Sequence, residues 1–389
     1  LPFAAQCTEP MTYCYPPQQN MFQFWTNLTI DLYGGYFMTP NGNFTNGDMG
    51  ENRGHSGGMY ENYYLHIFNN TRRIIAQCDA SGERGLSGVM RIVQAYGTLM
   101  TTDAYGPIPY SSILSGENEV YFEFDSQKDL YKAMLEDLST AITDISAMGA
   151  DEIAKLKSFD CWCNGDKDLW VKIANTMKLR MALRLSKRET EAGNAGMNLK
   201  AIATEAAQNT LAKVNKDILI DKSLENEMWL MFNWGDCGFN ANLVTIMSGT
   251  KDPRQPLYMT LNTGDIKNEA GTTTVAANSQ YLGIRFASGL PAKPNSWGNF
   301  SGWIQGNNGS SYSMPLPIMK ASEAYFLLAE AKLRWDIGSE SVKNLYENGI
   351  RVSMTNELAY RGAYAGIKEY PEGAVDAYIN GTSTQIDYT

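Results

Sequence analysis

The sequence predicts a mostly α chain: a tetratricopeptide-like helical repeat scaffold that carries a large, irregular, loop-rich face. Three observations predict it. Apolar residues recur at helical spacing through much of the first 190 residues and again after 318. Near the C-terminal end a long helical stripe stops at Trp335-Asp336-Ile337-Gly338 and another starts within a few residues, which is the helix–turn–helix unit of such repeats. Between them, 233–317 is rich in Gly, Asn and Pro with scattered Trp. A structureless loop of that length does not fit inside a domain, so short strands and turns are expected there.

The elements follow in order. Met21, Phe24, Trp25, Leu28 and Leu32 form a first stripe that stops at Gly34-Gly35, and 36–59 is irregular. Tyr60, Tyr64, Ile67, Phe68, Thr71 and Ile75 form a second, and Leu86, Val89, Met90, Val93, Gly97 and Met100 a third. Gly106-Pro107-Ile108-Pro109 forbids helix and makes 102–125 a connection. Leu130, Tyr131, Met134, Leu138, Ala141, Ile142 and Ile145 form a fourth stripe, and Ser126-Gln127-Lys128-Asp129 before it fits an N-terminal cap. Trp170, Ile173, Ala174, Met177, Met181 and Leu185 form a fifth, opened by Asp166 or Asp168. Ile318, Ser322, Tyr325, Phe326, Ala329 and Leu333 form a sixth. Ala324, Leu327, Leu328 and Ala331 fill its other side, so this helix is expected to be central. Val342, Leu345, Tyr346, Gly349 and Ser353 form the last. The third and fourth stripes are expected to pair as the sixth and seventh do. The reading is a single domain over 1–389, with the scaffold mainly at 20–35, 60–102, 126–190 and 318–357 and an irregular insertion at 233–317.

Composition narrows the function. With 32 basic and 42 acidic residues the net charge is −10, and the longest basic cluster is Lys187-Arg188 at a helix end. Nucleic-acid binding needs a basic stripe, which is missing. Only His55 and His66 are present, which argues against a His-based metal site or a Ser/His/Asp triad. No run of 18 apolar residues spans a membrane. The six Cys form no CxxC pair; their even number permits disulfides without requiring them. Gly34-Gly35 is not a dinucleotide fingerprint and there is no phosphate loop, so no cofactor or metal is expected.

Several residues invite a chemical reading beside a structural one. Thr102–Tyr110 is a rigid turn in which Asp103 can cap. Lys172, Lys178 and Arg180 suggest an anion site or a solvated, snorkelling face. Arg254 of Asp252-Pro253-Arg254 can clamp a ligand carboxylate or pin a local one. Glu323 and Glu330 share a helix face and read either as a glycosidase carboxylate pair or as structural bonds to neighbouring helices. The aromatic residues of the irregular segment suit stacking on sugar faces or core packing. Candidate ligand contacts are Trp297, Trp303, Tyr312, Tyr281 and Trp234; Trp297 and Trp303 lead because they lie among Gly, Asn and Ser.

A series of strings, colinear over nearly the whole chain, resembles the SusD/RagB family of Bacteroidetes. They run from Met21-Phe22-Gln23 and Leu32-Tyr33-Gly34-Gly35-Tyr36 through Thr102–Tyr110, Phe124-Asp125-Ser126-Gln127, Gly165-Asp166 and Trp170–Arg184. They continue through Ile246-Met247-Ser248-Gly249, Asp252-Pro253-Arg254 and Tyr281-Leu282-Gly283-Ile284-Arg285 to Ile318–Glu323 and Leu345–Arg351. The resemblance implies a lipid-anchored protein of the outer membrane and cell surface. It implies a non-catalytic lid on a SusC-like TonB-dependent transporter, binding oligosaccharide or, in some members, peptide. Gln6 before Cys7 does not fit a lipidation site, so an anchor segment is expected upstream, and a C-terminal segment is expected beyond Thr389. Two other readings stay open: an all-helical glycan-active enzyme, and a repeat scaffold that binds only protein.

Overall fold

The computed structural model describes residues 2–15, 19–40, 44, 50, 53–116, 121–220, 227–267, 270–286, 297–304 and 315–381. The chain divides into two compact units. The first is Leu1–Tyr15, Met59–Ile220 and Leu316–Val352; the second is Pro16–Gly58, Asp221–Pro315 and Ser353–Thr389. The stretch expected as an insertion therefore does not stand alone. It shares a unit with 16–58 and 353–389, tied in by antiparallel pairing of Phe37–Met38 with Gly238–Phe239 and by the Gln23 amide donating to Asp236 at 3.0 Å.

The first unit is a helical stack. The Arg84–Tyr105 helix packs on Asn69–Ser81 and on Gln127–Ser146, and Lys167–Arg184 follows with Leu199–Ala206 and Ala321–Trp335 against it. The third and fourth stripes thus pair as expected, burying Leu86, Val89, Met90 and Val93 with Leu130, Met134, Leu138 and Ala141. Gly88 makes this pair close: a Cβ there would lie 3.2 Å from the Cα and carbonyl oxygen of Ala141. The helix starts are those the sequence marks. Ser126 Oγ accepts from the Asp129 amide, and Asp166 accepts from the amides of Asp168 and Leu169. The Pro-rich turn leaves the helix at Gly106, whose φ of +79° favours glycine, and Ile108–Pro109 pairs antiparallel with Phe124–Asp125.

One expectation for this unit is corrected. The Ala321–Trp335 helix is not buried all round: Leu333 is 71% exposed, while Ala321, Ala324 and Ala331 are fully buried. Its alanines form the close-packing face, so the larger apolar residues turn outward. Phe326 reaches the next helix, 5.7 Å from the Tyr346 ring. The helix ends as the sequence indicates, with Asp336 at φ +56°.

The second unit is built from short elements. Met259–Asn262 pairs with Ser301–Trp303, and Ile266–Lys267 with Thr273–Val275. Its first stripe winds as a π-helix over Gln23–Asp31, with Gln23 and Asn27 buried beside Asp236 and Cys237. At its end, burial pushes the Asp31 carboxyl up to about 7. The unfolded value is about 4, so the fold favours the protonated acid. Its stabilising contribution is complete below about pH 4 and is lost as pH rises through about 7. Asp31→Asn is expected to raise stability at pH 8 by about 1–2 kcal/mol and to change little at pH 4. Urea melts at both pH values check this; equal effects at the two would refute it.

All six Cys are free, and all but Cys161 are buried. Burial pushes the Cys7 and Cys78 thiols up to about 12 and Cys161 to about 11.

Candidate functional site

The loops of the second unit are organised by Asn262, which has no solvent exposure. Its side-chain amide donates to the carbonyls of Gly264 (2.9 Å) and Ala276 (2.8 Å), and its carbonyl oxygen accepts from the amides of Ser279 (3.0 Å) and Gln280 (3.1 Å). One side chain thereby fixes the two arms of the 263–280 excursion. A second set of bonds holds the Trp297–Asn299 turn on the same frame. The Thr263 hydroxyl donates to the Gly298 carbonyl, and the Asn299 amide donates to the Asp265 carbonyl at 2.9 Å. A Cβ at Gly264 would lie 2.3 Å from Asn299 Oδ1, so a larger residue there would displace that side chain.

The chain then enters Ser301–Trp303, and Ser301 links Tyr281 to the frame. Ser301 N donates to the Leu282 carbonyl at 3.1 Å, and Leu282 N donates to Ser301 Oγ at 2.8 Å. Tyr281, partly buried, is one residue away, and desolvation raises its hydroxyl pKa. Tyr281 and the Trp297 turn are thus carried by one anchored set of short strands and turns. The side chain of Trp297 and all of Tyr312 lie outside the described residues.

The other two candidates are placed differently. Trp303 is a correction: it is 5% exposed, with its ring stacked on Phe239 at 5.9 Å and against Phe232 and Phe37. Its register partner Met259 is 1% exposed, so the pairing turns Trp303 inward. Flanking Gly and Ser do not make it exposed, and the ring faces are occupied. Trp234 is partly exposed in the turn after Glu227–Asn233, where its amide donates to the Leu230 carbonyl at 2.8 Å. The sequence reading missed Tyr36, 52% exposed, and Tyr121 and Phe124, 78% and 64% exposed in the first unit. Tyr36 follows Gly34-Gly35, and that Gly-rich setting was the available signal.

The charged candidates other than Lys172 are engaged within the fold. Arg180 forks onto Glu323 with two bonds of 2.6 Å, Lys178 pairs with Glu205 at 3.0 Å, and Glu330 pairs with Arg334 of its own helix. Arg254 binds Asp252 through Nε (3.0 Å) and Nη2 (2.6 Å) and donates to Ser353 at 2.8 Å, the local pinning weighed above. His66 stacks on Tyr13 and pairs with Glu9, and His55 stacks on Phe24. Among the described residues, no group of three or more His, Cys, Asp or Glu is placed to hold a metal ion.

Comparison with solved structures gives the same architecture. A chitin-binding SusD homolog from Flavobacterium johnsoniae matches with a TM-score of 0.77 and 23% identity, over 97% of this chain and 72% of that one. A SusD-like protein from Bacteroides thetaiotaomicron matches at 0.75 and 24%, again over 97% and 72%. A SusD homolog from Bacteroides ovatus matches at 0.76 and 25%, with the same coverage. No curated protein matches. The family described as Susd and RagB outer membrane lipoprotein matches residues 4–388, and the chain belongs to that SusD-like family.

Proposed function

We propose that the chain is a non-catalytic nutrient-binding lipoprotein of the cell surface. It captures oligosaccharide and delivers it to a SusC-like TonB-dependent transporter. The observation that carries this reading is the frame around Asn262, which presents Tyr281 and the Trp297 turn from one anchored base. Aromatic residues carried on anchored loops suit a hydroxyl-rich ligand, because ring faces stack on the C–H faces of sugars while amides bond hydroxyls. Family membership supports the reading, as does the chitin-binding relative. No helix among the described residues is long and apolar enough to cross a membrane, and the reading places the chain on the membrane by a lipid anchor.

Chitin oligosaccharides are the first probe, titrated calorimetrically. Trp297→Ala and Tyr281→Ala are each expected to weaken binding about tenfold, equivalent to about 1.4 kcal/mol, with thermal melts as the fold control. Unchanged binding in both variants would sink the site. New reducing ends in the titrated mixture would overturn the non-catalytic reading.

A further inference from the structure

We infer that the first unit carries a separate binding site for an acidic, sugar-sized ligand held through its carboxylate. A cavity of about 490 Å³ lies where the ends of Arg84–Tyr105 and Lys167–Arg184 meet the start of Gln127–Ser146. Asp103, Lys128, Tyr131, Arg184, Arg188 and Glu191 line it.

The bonding within this set decides the ligand's charge. Asp103 is satisfied on both oxygens: the Tyr131 hydroxyl donates to Oδ1 at 2.7 Å, and Arg184 Nη1 pairs with Oδ2. Asp103 therefore steadies Arg184 by one nitrogen. Arg184 also interacts with the Tyr131 hydroxyl, so both groups hold the guanidinium at the cavity wall. Arg188 bonds Glu191 through Nη1 alone, at 2.9 Å. Lys128 is exposed and has no ion pair among the described residues. The lining thus carries three cations and two carboxylates, a surplus of one positive charge in a chain of net charge −10. Planar guanidinium edges match the two oxygens of a carboxylate, and a surplus of one matches a singly charged group better than a dianion.

Size decides the rest. The volume falls within the range of about 300–1,000 Å³ typical of small-molecule pockets. A single carboxylate side chain would leave most of it unfilled, whereas a sugar acid fills it and presents hydroxyls to the polar walls. The acidic-sugar identity rests on the glycan-capture reading, but the site is distinct from the Asn262 frame, so the two can fail separately.

Glucuronate and glucose are titrated into the native chain, into Lys128→Gln/Arg188→Gln, and into Trp297→Ala. Both basic residues are exposed, so the double variant should keep its melting temperature. Glucuronate is expected to bind at least tenfold more tightly than glucose. The double variant should lose at least tenfold, Trp297→Ala should lose nothing, and added salt should weaken binding. Absence of glucuronate binding to the native chain would overturn the site. Equal affinity for glucose, or an unaffected double variant, would do the same. An acidic dipeptide that binds as tightly as glucuronate would overturn the assignment to a sugar.

Discussion

Asp160→Ala is expected to destabilise the chain by about 3–5 kcal/mol. Asp160 is 7% exposed and accepts four hydrogen bonds. They come from the amides of Trp162 (3.0 Å), Cys163 (2.8 Å) and Gly165 (2.8 Å) and from the indole of Trp170 (2.8 Å). Removing the carboxylate leaves these donors without a partner in a dry interior, and each buried orphan costs about 1–3 kcal/mol. The indole rings add to the effect: Trp170 is fully buried and stacks on Trp162 at 5.3 Å, so loosening the turn disturbs two large core side chains. Asp160→Asn should fall between, since its NH₂ faces donors that an oxygen should meet. Urea melts in reductant read both variants; an Ala variant within about 1 kcal/mol of the native chain would show that water replaces the carboxylate.

Glu357→Gln is expected to cost a similar amount, about 3–5 kcal/mol, in the second unit. Glu357 is 1% exposed; it accepts from Arg361 Nε at 2.5 Å and from the Tyr360 hydroxyl at 2.6 Å. The guanidinium lies 4.7 Å over Tyr258 and 5.6 Å over Trp303. Neutralising that carboxylate removes the charged acceptor of a buried guanidinium, so less of its desolvation is offset. The test is a cycle with Glu357→Leu/Arg361→Met: removing both charges should recover most of the loss. A double variant as unstable as the single one would refute the ion-pair account and point to packing.

These two centres show where sequence patterns stop being informative. The caps at Ser126 and Asp166 could be read because donor and acceptor lie within three residues of each other. The helix pair around Gly88 could be read because the apolar period is local. Asp160 could not, because its role depends on a tight turn folding three amides toward it and on Trp170 arriving from the next helix. Asn262 was hidden likewise, since its partners come from Gly264, Ala276, Ser279 and Gln280 at once. Trp303 was misjudged for a related reason. Composition around it suggests a loop, but facing is set by the register with Met259, far along the chain. Tyr281 and Trp297 were legible as aromatic residues in polar surroundings; the frame that carries them was not.

The six unpaired thiols make durability a question of time as well as free energy. In the native chain burial raises their pKa values, and it keeps five of the six out of reach. Once the chain opens, each returns to an ordinary acidity near 8.5 and meets five others on a mobile polymer. In air an opened chain can cross-link wrongly before it refolds, and an excursion that is reversible under reductant then becomes one-way. Its working lifetime under oxidising conditions is then governed by how seldom it opens.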